Sequence, residues 1–418
     1  MLNVVHAHYV PSYTEIMIYD GEYPAINWPN GVKEGDEIGF NYILGADKNN
    51  KEINKLRYFS GFFFHGFLAG KIKFYSLEDI PREKDPFPYV FPIHIFSLNF
   101  FTKYSTTPLH IPEQIIKDIR TNKAKLLFIT DEGDEISDIK INTFKYQANY
   151  FNIPLKNIIY ISCNTLVEDI LNRQGMTGIY YNPWQCSVSR VLDSIQYIDN
   201  IKSSIIKKDI RKKKMLCFNR NSHAYRAYLV NRMIELNLLE DSIITYAGVG
   251  DNTWPHFWRL NEITPLTYDE KDLKNITPMN INFEAHLKCY FNIITETLFY
   301  NDPSRTLFFS EKTFKPIQCM QPFIFIGQQH GLKKLKEMGY KTFSNFIDES
   351  YDEIKSPIER LEAALTQIVK INNLSSAQLS DMLYNMLPIL EYNFTNHVDI
   401  VYSNYNGDTI IEKINNNW

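Results

Sequence analysis

Residues 291–351 read FNIITETLFYNDPSRTLFFSEKTFKPIQCMQPFIFIGQQHGLKKLKEMGYKTFSNFIDESY. Taken with Tyr290, the apolar run up to Thr295 has the length and composition of a buried strand, and it ends in Glu296. After a loop, Ser310-Glu311-Lys312-Thr313 opens a helix. Residues 322–327, PFIFIG, make a second apolar run, followed by a helix carrying Lys333, Lys334 and Lys336. Strand, loop, helix, strand, helix is the pattern of a parallel sheet covered by helices. Ligands of such sheets bind beyond the carboxyl ends of the strands. That rule puts Glu296 and the start of the Ser310 helix on the binding edge.

The residue types there suit an anionic, hydroxyl-rich ligand. Ser310 is a good N-cap. The free N–H groups and positive dipole end of its helix, with Thr313 in the first turn, attract anions. Lys312 adds a full charge for a phosphate. Glu296 and Glu311 are acceptors for ribose or sugar hydroxyls. Pro316 falls inside the helix, where it removes a hydrogen bond and kinks the axis. The plainer reading is an ordinary solvated first turn, which favours the same residues.

A second candidate anion site opens the same half of the chain. Residues 215–219, MLCFN, read as a strand. Arg220-Asn221-Ser222-His223 follows, with Ser222 as the expected N-cap of the helix HAYRAYLVNRMIEL. Asn219, Arg220 and Arg226 lie at the strand end, in the loop and in the first helical turn. Arg forks there can meet a diphosphate.

SEKTFKPIQCMQPFIFIG resembles the "TEK … G…P" segment of the alpha-fucosyltransferase type of GT-B glycosyltransferases. With LKKLKEMGYKTF and DESYD, the stretch is more similar still to glycosyltransferase-like proteins of tailed phages and some bacteria. The likeness covers roughly the C-terminal half. It implies an α/β chain of two Rossmann-like domains facing a cleft, with C-terminal helices crossing back to the first domain. Glu311 and Lys312 match the Glu and Lys that hold the ribose and diphosphate of the sugar nucleotide in that family. Glu296 matches an upstream Glu, across a longer loop here. The FNR…R…L arrangement is similar to the start of the family's second domain, where an Arg pairs with the phosphates; Arg220 and Arg226 both fit that role.

Composition narrows the classes. The 418 residues suffice for two ordinary domains. A net charge of −4 argues against a generally basic nucleic-acid binder. The five Cys (Cys163, Cys186, Cys217, Cys289, Cys319) include no CxxC pair and read as reduced thiols of a cytosolic protein. No metal-ligand spacing is present. MLNVVHAHYV lacks the features of a signal peptide, and no run of about 18 apolar residues exists to span a membrane.

Residues 1–200 read as the acceptor domain. Its first part is β-rich and irregular, with PREKDPFPYVFP as Pro-rich loop. His6, His8, His65 and His94 fall there and read as core residues. From His110 onward, strands at 124–130 and 157–164 alternate with helices, as in a doubly wound domain. The cluster Asp131-Glu132-Gly133-Asp134-Glu135 follows the first of these strands. Either Asp131 or Glu132 could deprotonate an acceptor hydroxyl; a solvated acidic turn is the plainer reading. Trp184 could stack on a sugar or a base. Residues 201–214 are basic and read as an interdomain linker, 215–395 as the nucleotide-sugar domain, and 396–418 as a tail returning to the first domain, frayed at KINNNW.

The expectation is a cytoplasmic glycosyltransferase, in host cytoplasm if phage-encoded. It moves a sugar from a nucleotide-diphosphate sugar to a hydroxyl, without a permanently bound cofactor or a metal. A hydroxymethylated or already glycosylated base in double-stranded phage DNA is one acceptor, and a surface glycan is the alternative. Inverting and retaining routes both stay open. A non-catalytic module binding sugar nucleotide or nucleic acid is the competing class.

Overall fold

The computed structural model describes residues 2–6, 72–76, 88–95, 99–109, 111–130, 133, 135–219, 223–246, 280–405 and 408–418. The fold is α/β, and the chain divides into two compact units. Unit 1 comprises Met1–Pro183, Ser304–Phe308 and Tyr402–Trp418; unit 2 comprises Trp184–Pro303 and Phe309–Val401.

Unit 1 holds strands β1 (Leu2–His6), β2 (Ile72–Ser76), β3 (Tyr89–His94), β4 (Ala124–Ile129), β5 (Ile158–Ser162) and β6 (Thr177–Tyr180). They form a parallel sheet in the order β2-β1-β3-β4-β5-β6. Every residue of β4 and β5 is buried. Continuous apolar runs of this kind are what a sheet covered on both faces requires. Helices α1 (Asn99–Tyr104), α2 (Glu113–Arg120), α3 (Asp138–Phe151) and α4 (Val167–Asn172) lie between the strands in sequence. Phe101 and Tyr160 meet Phe144 at 5.7 and 5.3 Å between ring centroids, joining α1 and β5 to α3.

Two readings of this unit need correction. The segment taken as Pro-rich loop ends inside β3, which lies between β1 and β4 with Pro92 in register with Leu127. Proline forfeits one ladder donor there, and the other five residues of the strand keep their pairing. The tail read as frayed is docked instead. Helix α12 (Asp408–Asn415) pairs Lys413 with Glu168, and Thr177 Oγ1 donates to Asn417 Oδ1 at 3.0 Å. The Trp418 ring takes the Lys125 ammonium at 5.4 Å, and its carbonyl accepts from Asn122 Nδ2 at 3.2 Å.

Unit 2 holds α5 (Val188–Ile206), β7 (Lys213–Asn219), α6 (Ala224–Glu235), β8 (Ser242–Tyr246), α7 (Phe283–Lys288), β9 (Cys289–Thr295), α8 (Glu311–Gln318), β10 (Phe323–Ile326), α9 (Gly331–Glu337) and α10 (Pro357–Asn372). Its four strands are parallel in the order β10-β9-β7-β8. Relative to chain order, the first strand, β7, lies between the second and the third. The winding therefore reverses between β7 and β9, the position beyond whose carboxyl ends ligands of such sheets bind.

Residues 201–214, expected as a linker, span the end of α5, a short connection at 207–212 and the start of β7, while the change of unit falls between Pro183 and Trp184. A basic run resembles a linker in composition, yet here it is folded and paired. Lys208 bonds Asp381 at 2.6 Å, Lys214 bonds Asp241 at 2.9 Å, and Lys202 pairs with Glu391. Arg211 is buried, with Nη1 donating to the Cys289 carbonyl at 2.6 Å. Pro357 does not break a helix; it stands in the first turn of α10 behind the N-cap Ser356, where its missing N–H costs nothing. Helix α11 (Ser376–Tyr405) runs without interruption through the boundary expected at 395/396 and passes into unit 1 at Tyr402. Among the described residues, no helix is long and apolar enough to cross a membrane. All five cysteines are buried, and none forms a disulfide.

Candidate functional site

The carboxyl ends of β7 and β9 gather most of the residues singled out from sequence, all within unit 2. They fall into a buried frame and a more exposed face. Glu296, one residue past β9, is fully buried. Both of its oxygens lie 3.1 Å from the Ser310 N–H, Oε1 accepts from Thr313 Oγ1 at 2.5 Å, and Oε2 accepts from the Thr297 N–H at 3.0 Å. The carboxylate thus fastens the strand end to the first turn of α8. Its expected role with ribose hydroxyls gives way to an internal one, because these donors occupy both oxygens. Ser310 caps α8 by accepting from the Lys312 N–H at 3.3 Å.

Arg226 and Asn219 belong to the same frame. Arg226 is buried; Nη2 donates to the carbonyls of Thr295 at 2.8 Å and Glu296 at 3.1 Å, and Nε donates to Tyr225 Oη at 3.0 Å. Its fork closes the end of β9 instead of facing outward toward a diphosphate. Asn219 is buried, with Oδ1 accepting from Thr295 Oγ1 at 2.6 Å, which ties β7 to β9. These side chains could not be assigned to the frame from sequence, because an Arg in a first helical turn is equally at home braced inward or facing a ligand.

Lys312 and Glu311 make the face. Their side chains keep 23% and 13% of their accessible surface, and they pair at 3.2 Å. Lys312 Nζ also lies 3.2 Å from Ser310 Oγ and 3.5 Å from Thr297 Oγ1. Burial works against charge on Glu311, but Lys312 and Lys315 beside it hold its carboxyl below the usual range. Burial lowers Lys315 to about 8 against the pull of Glu311. Arg190, fully buried on α5, lies near enough to Glu311 and Lys315 for their charges to interact. Its Nε donates to Gln318 Oε1 at 3.3 Å and its Nη2 to the Trp184 carbonyl. Four cations, Arg190, Arg226, Lys312 and Lys315, thus stand against two carboxylates, Glu296 and Glu311, around one helix start.

Sequence reading missed Arg190, Lys315 and His223. Arg190 comes from a helix more than 100 residues upstream, and no local pattern ties it to α8. Lys315 follows Lys312 at the i,i+3 spacing of one helix face. His223, not the expected Ser222, is the N-cap residue of α6, and its side chain makes no capping bond.

Trp184 belongs to unit 2, not to the acceptor unit where it was expected, and it is half-buried. Asp131, Glu132 and Arg220 lie outside the described residues, as do residues 252–279 of the stretch between β8 and α7. Gly133, inside the acidic cluster, is described. Its carbonyl accepts from Thr306 Oγ1 at 2.7 Å. Among the described residues, no group of three or more His, Cys, Asp or Glu side chains could hold a metal ion. No protein-family model matches the chain, and no curated protein matches it.

Proposed function

We propose that the chain is a nucleotide-sugar-dependent glycosyltransferase of GT-B type, with the donor's diphosphate bound at the carboxyl edge of β7 and β9. The observation that carries this reading is the positive surplus around the start of α8, placed where the winding of a parallel sheet reverses. A diphosphate carries two negative charges into the reaction and becomes more negative as the sugar departs. A lysine and the positive end of a helix dipole near that position would favour departure. Lys312 serves as the phosphate cation. Glu311, held ionised by two lysines, serves as an acceptor for a donor hydroxyl. Glu296, Arg226 and Asn219 act by holding the edge rigid.

The acceptor is a hydroxyl compound, and duplex DNA is the less favoured class. DNA binding draws on rows of cations free to neutralise phosphates. In the basic run, Lys202, Lys208 and Lys214 already have acidic partners and Arg211 is buried.

Thermal unfolding with UDP-glucose, UDP-N-acetylglucosamine, GDP-mannose and GDP-fucose tests the reading. At least one should raise the melting temperature, since a ligand that prefers the folded chain must do so. Lys312→Ala should weaken that ligand by about 10- to 100-fold, as expected for one lost charge-assisted hydrogen bond. Glu311→Ala should weaken it less. Parent-like binding by both variants would remove the donor from this edge. Binding without transfer to any hydroxyl acceptor would identify a sugar-nucleotide module instead of an enzyme.

A further inference from the structure

His223 stands in the turn after β7, at the same carboxyl edge as Lys312. Its ring stacks on Tyr225, with centroids 6.0 Å apart and planes 26° apart. Tyr225 in turn stacks on Phe299 at 4.4 Å and 13°, with the Tyr300 ring edge-on to Tyr225 at 6.2 Å. The imidazole is therefore held by aromatic packing. Among the described residues, neither ring nitrogen makes a hydrogen bond. The charged groups acting on it are Arg226 from its own helix and Lys312 from α8; no carboxylate is among them. The Tyr225 hydroxyl donates to the Glu296 carbonyl, and burial keeps this phenol neutral. The Glu296 carboxylate is turned to Ser310, Thr313 and Thr297.

The imidazole is thus oriented by stacking within reach of two cationic charges, and among the described residues neither nitrogen is hydrogen-bonded. Burial, and then Arg226 and Lys312, lower its proton affinity to about 4, so the ring is neutral at pH 7. An anion seated between His223 and Lys312 reverses that balance. Its charge offsets both cations and provides an acceptor for an imidazolium N–H.

Resting on the donor-site reading above, we propose that His223 is a proton-linked anion-binding residue. On entry of the donor diphosphate, the ring takes a proton from solvent and donates a hydrogen bond to a phosphate oxygen, so that donor and proton bind together. Linkage fixes the sign: a group protonated only in the complex makes binding tighter as pH falls, by at most tenfold per pH unit. The device would hold the diphosphate more tightly than an uncharged ligand of similar size.

Calorimetry tests this with the same four nucleotide sugars at pH 6.0, 6.5 and 7.5, in buffers of different ionisation enthalpy. The phosphates of a nucleotide sugar lack the second ionisation of a phosphate monoester, so the ligand does not titrate in this range. Lys315, held near 8, is mostly charged by pH 6.5. The parent should take up roughly half to three-quarters of a proton per ligand at pH 6.5 and bind about three- to tenfold more tightly at pH 6.0 than at 7.5. His223→Gln should take up almost none and show a flat profile. His223→Phe, which keeps the stack on Tyr225, should match it. Binding without proton uptake in the parent, or equal uptake in parent and variants, overturns the role of His223 while leaving the donor site standing. Failure of all four sugars to bind the parent overturns both.

Discussion

The two sheets open with the same winding, their second, first and third strands lying side by side, yet their carboxyl edges are finished differently. In unit 1 the edge beyond β4 and β5 is covered by the chain itself. Residues 304–308 leave unit 2 after Pro303 and return to it at Phe309. On the way, the Leu307 carbonyl accepts from the Thr165 N–H at 2.9 Å, and the Arg305 carbonyl accepts from Asn164 Nδ2 at 2.9 Å and the Ile136 N–H at 3.2 Å. In unit 2 the edge beyond β7 and β9 carries partly exposed Lys312 and Glu311 and the ring of His223, which makes no hydrogen bond among the described residues. Polar groups beyond strand ends need partners. One sheet receives them from a loop of the same chain. The other satisfies its innermost groups through Glu296 and Arg226 and leaves the Lys312–Glu311 pair partly exposed. The loop between Glu296 and Ser310 contains the residues, 304–308, that belong to unit 1.

Three substitutions or conditions would break or sharpen this contrast. The largest effect is expected at Glu296→Ala, which strips a buried acceptor from the Ser310 N–H, the Thr297 N–H and Thr313 Oγ1. Each unsatisfied buried donor costs about 1–3 kcal/mol, so a loss of roughly 3 kcal/mol or more is expected in urea unfolding. A loss below about 1 kcal/mol would mean that the edge of unit 2 is not held by this carboxylate.

A smaller effect is expected at Gly133→Ala. Its new Cβ would fall 2.1 Å from the Phe308 ring, so the covering segment must shift. Overpacking of this kind costs about 1–3 kcal/mol. Nucleotide-sugar affinity should stay within about twofold of the parent, since the affected edge belongs to unit 1. A stability equal to the parent would show that residues 304–308 do not press on this turn.

The smallest effect per step is pH dependence. His286 and His397 are buried in unit 2, and burial lowers them from 6.5 to about 4 and about 3. The unfolded chain therefore takes up protons near pH 6.5, while the folded chain resists them until about pH 4. Their contribution is complete above pH 6.5 and declines as pH falls below it, by on the order of 1 kcal/mol per pH unit for each histidine. Urea midpoints at pH 7, 6 and 5 should fall accordingly, and His397→Gln should flatten the slope. A midpoint that holds down to pH 5 would contradict the neutral, buried state of both rings.

Much of unit 2 was legible in the sequence. Apolar runs such as CYFNIIT and FIFI can be little else than covered parallel strands, and Ser310 announced its helix start. β3 was not legible, because Pro92 breaks a local rule that the flanking strands override. The course of 201–214 was also hidden, because seven basic residues give the same composition whether they join domains or pair with distant acids. The division between frame and face was beyond sequence as well. Glu296, Arg226 and Lys312 are charged side chains on comparable loops and first turns, and only the packed strand ends decide which of them turn inward.

By itself, the sequence determined the α/β class, the parallel strands and the helix start at Ser310, because periodicity and capping are local properties of a few neighbouring residues. Only the tertiary structure decided that Glu296 and Arg226 are internal braces, that Arg190 and Lys315 join Lys312, and that His223 lies where the charges of Arg226 and Lys312 act on it. Those outcomes depend on contacts between segments up to 120 residues apart in the chain, where burial and mutual charge, not residue type, set what each group can do.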